Sequence, residues 1–155
     1  MSTLVFFLLC FTGWGEAKPF SGYFRVRQPG ITYQVFLEEL PDGQVRGVLN
    51  TPILSLPIIG QKSGDVASGD LVGLAKLGFL ARLKSDKLIF DILHGRAKPS
   101  QEQVRQSLVM LPITDENEQR QLKKTFAVMQ AKLEQRRLSE EKPLDLANIQ
   151  KEKKQ

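Results

Sequence analysis

Between residues 20 and 93, apolar and polar side chains alternate in short runs, and the runs are broken by glycine, proline and aspartate. A period of two turns one face of a strand inward and the other toward water. Turn residues between the runs bring each strand back beside the one before it. The pattern predicts an antiparallel β-meander, with the rest of the chain added to it.

Three turns set registers. In the first strand, 20–27, Phe20, Gly22, Phe24 and Val26 share one face, and Ser21, Tyr23, Arg25 and Arg27 the other. Gln28-Pro29-Gly30-Ile31 has type II chemistry: proline presets φ and glycine accepts a positive φ. Type II is not the favoured hairpin turn, so a local splay or bulge is expected there. Pairing Gln28 with Ile31 puts Val26 opposite Tyr33, Phe24 opposite Val35 and Gly22 opposite Leu37 inside, and Tyr23 opposite Phe36 outside. Leu40-Pro41-Asp42-Gly43-Gln44 reads as a type I turn with a glycine bulge. It sets Leu37 opposite Gly47 and Val35 opposite Leu49 inside, with Glu38 facing Arg46 and Phe36 facing Val48 outside. The tight turn Lys84-Ser85-Asp86-Lys87 pairs Leu83 with Leu88, Ala81 with Phe90 and Phe79 with Ile92.

The middle is less regular. Residues 53–59 are apolar on both faces, and Pro57 argues for an edge, a strand end or a bulge. Residues 61–73 hold Ser63-Gly64-Asp65 and Ser68-Gly69-Asp70, read as a turn and a short polar strand. The sum is about seven strands joined by short loops. The expected fold is mainly β with a C-terminal α segment. Residues 18–94 form a small up-and-down antiparallel barrel or strongly curled meander. Phe24, Tyr33, Val35, Leu37, Phe79, Phe90 and Ile92 would fill it, with Gly22, Gly47 and Ala81 fitting a taper. Structural fill is preferred over a ligand cavity. In general architecture residues 20–93 resemble lipocalin-type and other small exported barrels. No motif carries that resemblance, so it assigns no functional residue.

Beyond residue 94 the period changes. Residues 95–114 read as a linker with a short helix, opened by Ser100 with Gln103 in the capping-box position and reaching about Met110. Pro112 interrupts. A longer helix then spans 115–141, opened by Thr114 or Asp115, with Leu122, Phe126, Met129 and Leu133 as one narrow apolar stripe. Pro143 ends it, and 142–155 is a charged tail. Tyr23, Phe36 and Val48 should form an apolar row on the outer sheet face, which needs a cover. The helix stripe is its natural counterpart. The alternative use of these seven residues is contact with a protein partner or a second copy through the helix.

The chain opens with the apolar run 4–11, followed by Gly15-Glu16-Ala17. This reads as a secretory leader, residues 1–17, cut after Ala17. The run is shorter than the roughly 20 residues that span a bilayer, and no Lys or Arg precedes it. The one cysteine, Cys10, lies inside it, where lipidation is disfavoured because Leu9 precedes it. A mature chain without cysteine must rest on its core, and export without disulfides favours a bacterial envelope: periplasmic or secreted. The net charge of +5 is scattered among acids and says little about partners.

Signals for chemistry are weak. His94 is the only histidine, at a strand end with no nucleophile elbow in the chain, so a hydrolytic enzyme using it is the least favoured reading. The expected mature chain offers one His and no Cys, too few for a zinc site, and the Ser-Gly-Asp triplets lack calcium-loop spacing. Tyr23, Arg25, Arg27, Phe36 and Arg46 share an outer face, but Glu38 and the expected export argue against nucleic acid. The expectation is an exported, non-enzymatic binding or protein-interaction module, without cofactor or metal. It would act by its outer sheet face, its amphipathic helix, or both. The alternative is a lipocalin-like carrier of a small apolar ligand inside the barrel.

Overall fold

The computed structural model describes residues 19–73, 76–95 and 104–140. The expected leader 1–17 and tail 142–155 lie outside these residues, as do residues 96–103 of the expected linker.

Eight strands follow one another: β1 (Gly22–Gln28), β2 (Ile31–Glu39), β3 (Gln44–Asn50), β4 (Ser55–Ser63), β5 (Val66–Leu71), β6 (Leu77–Lys84), β7 (Lys87–His94) and β8 (Val104–Pro112). Each pairs with the next and β8 returns to β1, closing an up-and-down antiparallel barrel. Helix α1 (Glu116–Glu140) follows. The barrel-plus-helix expectation is met, with two corrections. The strand number is eight, and Val104–Pro112 is a strand, not the end of a short helix. The barrel therefore extends past residue 94 to Pro112. Closure supplies the reason: β1 and β7 would otherwise each leave an unpaired edge, and β8 fills the gap between them.

The registers match residue for residue. Gln28 pairs with Ile31 and Gly22 with Leu37, without the expected splay. Leu37 faces Gly47 and Phe36 faces Val48, and Ala81 faces Phe90. Gly30 and Gly43 hold φ of 76° and 80°, the left-handed values their turns require.

The inward faces make one core. Val35, Leu37, Phe79, Ala81, Leu88, Phe90, Leu108 and Met110 are buried in it. The Phe79 and Phe90 rings stack with centroids 5.4 Å apart. Phe79 lies against Gly60, where an added Cβ would meet its ring at 2.7 Å. Phe20 is also buried in this core. Its N–H donates to Glu39 (2.6 Å), which also accepts from Lys62 (3.0 Å). Side chains thus occupy the barrel interior. Arg25, Arg46 and Arg82 lie on the outer face, each ion-paired there.

Candidate functional site

Asp115 caps α1: its carboxylate accepts the Glu118 N–H at 2.8 Å. The first half of the helix then lies over the outer face of the sheet. Leu122 and Phe126 are buried there with Phe36, Val48 and Ile113, and Tyr23 and Met129 pack against them. The Phe36 ring is 4.9 Å from both the Tyr23 and Phe126 rings. A polar lace flanks the contact. Glu118 accepts from Arg25 and from Gln34 (2.6 Å). Gln34 accepts from Asn50, which accepts from Ser55. Arg46 pairs with Glu38 at 2.8 Å and stands 5.9 Å from the centre of the Phe126 ring.

Of the seven candidate residues, the structure joins Tyr23, Phe36, Val48, Leu122, Phe126 and Met129 in one cluster within the chain. The cover for the outer row is the protein's own helix. Two of the three outer cations considered for nucleic acid are engaged, Arg25 by Glu118 and Arg46 by Glu38. Leu133 does not join the cluster. It lies one turn further on, where α1 faces the ends of other strands across an open groove.

That groove begins at Pro57. The N–H and C=O of a strand residue point the same way, and the Pro57 carbonyl points to β5, accepting the Val72 N–H at 2.8 Å. Proline has no N–H to return, so the β4–β5 ladder starts only at Ile58–Leu71. The expected strand end is thus realised on the β5 side, while β3 pairs with β4 through Val48–Pro57 to Asn50–Ser55. Beside it the 51–54 turn is fixed by Thr51, whose hydroxyl accepts the N–H groups of Ile53 and Leu54. This turn presents Leu54 to the groove.

The groove holds about 470 Å³. Leu54, Leu56, Leu71, Val72 and Leu77 form its barrel wall; Met129 and Leu133 form the helix wall. Leu56, Leu71 and Leu77 also touch the core, so the groove reaches the barrel's end. At Gly73 an added Cβ would come within 2.7 Å of Leu56. Lys132 and Arg136, one turn apart on α1, line it as well, and among the described residues no Asp or Glu lines it. Among the described residues neither cation has an ion-pair partner.

The sequence reading placed two of these groove residues, Met129 and Leu133, among its candidates and missed the barrel wall and the cations. The available signals were Pro57 inside an apolar run and Lys132 and Arg136 flanking Leu133. His94 ends β7, exposed and opposite Leu77. Among the described residues no three His, Cys, Asp or Glu side chains gather as a metal site would need. No described helix is long and apolar enough to cross a membrane. Comparison with protein-family models, with curated proteins and with solved structures finds no match.

Proposed function

We propose that this is an exported, non-catalytic binding module that holds its ligand outside the barrel, in the groove beneath the second half of α1. The observation that carries this reading is an apolar recess of about 470 Å³ beside a barrel whose interior is filled by side chains. A recess of this size falls within the range of about 300–1,000 Å³ that small-ligand sites occupy. The helix supports the reading in a second way. Its first half is spent on Tyr23, Phe36 and Val48, so Met129 and Leu133 are what its stripe offers to another molecule. The leader at residues 1–17 supports export.

An environment-sensitive apolar dye tests the site. The full chain should enhance its fluorescence, and Leu133→Asp should abolish the enhancement while leaving the circular dichroism spectrum unchanged. Undiminished enhancement in the folded variant would refute the groove as the site.

A further inference from the structure

We infer that the groove's ligand is a free long-chain carboxylic acid, an inference that rests on the groove being the binding site. The wall residues Leu54, Leu56, Leu71 and Leu77 offer branched aliphatic surface and no aromatic face, which suits a flexible methylene chain more than a planar ring. Where the β4–β5 ladder stops, Pro57 lacks a donor and its carbonyl is already taken by Val72. A peptide adding itself as a strand would find no hydrogen-bond pair at that position. Methylene groups need none.

The helix side supplies the head-group site. Lys132 and Arg136 follow one another at i and i+4 on the face that carries Leu133, so both heads share one rim. Each can lay its aliphatic stem along the apolar wall while the charge stays in water. The guanidinium of Arg136 matches a carboxylate in two parallel hydrogen bonds, and Lys132 adds a second positive charge. Among the described residues no acid lines the groove, and an anion at this rim meets attraction from both cations. An apolar wall with two cations at one lip, neither ion-paired among the described residues, is the complement of a single chain with an anionic end.

Calorimetric titration of the full chain with octanoate, decanoate, dodecanoate and tetradecanoate, below their aggregation concentrations, gives the test. Affinity should rise about three- to fourfold per added methylene until the groove is full. Dodecanol and dodecyltrimethylammonium should bind at least tenfold more weakly than dodecanoate. In the charge-reversed variant Lys132→Glu with Arg136→Glu, both on exposed helix surface, dodecanoate should lose at least tenfold and dodecanol should be unchanged. Equal affinity for the three head groups, or dodecanoate binding that survives charge reversal, overturns the carboxylate assignment. Dye binding at Leu133 persisting beside such a result would leave the groove standing as the site. No binding of dye or amphiphile would overturn both. A groove seated by a second copy would appear as concentration-dependent dimerisation abolished by Leu133→Asp, and would also overturn the assignment.

Discussion

Single residues decide whether the barrel closes. Gly60 has the Phe79 ring and the Ser68 carbonyl where its side chain would be. Gly60→Ala should therefore destabilise the protein by about 1–3 kcal/mol in chemical denaturation, because the barrel interior has no slack to absorb a methyl group. Ser85 shows the opposite case. It holds a φ of 60° in the β6–β7 turn, a conformation that costs an L-residue about 1–2 kcal/mol and glycine almost nothing. Ser85→Gly should leave the melting temperature unchanged or raise it. Glu39 carries a pH signature. Burial pushes its carboxyl up, but the Phe20 N–H and the Lys62 ammonium outweigh burial and hold it below the ordinary value. A lowered folded value means that the contribution is complete above the ordinary carboxylate range and lost as pH falls through the lowered value. The protection factor of the Phe20 amide, the free-peptide exchange rate divided by its own at the same pH, should fall on acidification in the native protein, and Glu39→Gln should flatten that dependence. The turn glycines were legible because only glycine fits their φ. The closeness of Gly60 to Phe79 was not, because it joins residues on strands separated by β5.

At the scale of elements, the hairpins around Gly30, Gly43 and Ser85 were readable since each turn and the alternation on both sides of it gave the same register. Strand β8 was not. Its outward residues Val104, Val109 and Leu111 are apolar and about half exposed, so Leu108 and Met110, its buried pair, do not stand out from their neighbours. Apolar groups on both faces erase the period of two, and Ser100 with Gln103 imitated a helix start. Helix α1 lies where the pattern places it, and three residues of its stripe, Leu122, Phe126 and Met129, meet the sheet. Phe126→Ala should cost about 3 kcal/mol of stability, since the ring is buried against Phe36. A helix reserved for an outside partner would lose far less. Denaturation followed at β-sheet and helix wavelengths should show one shared transition, shifted in the variant.

At the scale of the whole molecule, the groove arises from parts that are distant in sequence. Pro57 ends the β4–β5 ladder, Thr51 sets the turn that carries Leu54, and α1 lies across the sheet so that Leu133, Lys132 and Arg136 reach past it. The sequence shows each part but not the crossing angle that brings them together. That is why reasoning from alternation found the barrel and the covered row, yet only the Met129 and Leu133 corner of the site. The proposed leader belongs to this scale as well. Protein recovered from an exporting bacterial cell should begin at Lys18. That cut would leave Lys18 and Pro19 before Phe20, and Phe20 is held in the core.

The central claim is that this barrel binds on its flank and not in its interior. Methyl-resolved NMR during titration with dodecanoate tests it most directly. The account predicts that the methyl signals of Leu54, Leu71, Met129 and Leu133 move with ligand while those of Ala81 and Leu88, deep in the barrel, stay still. Movement of Ala81 and Leu88 with the flank unchanged would contradict it.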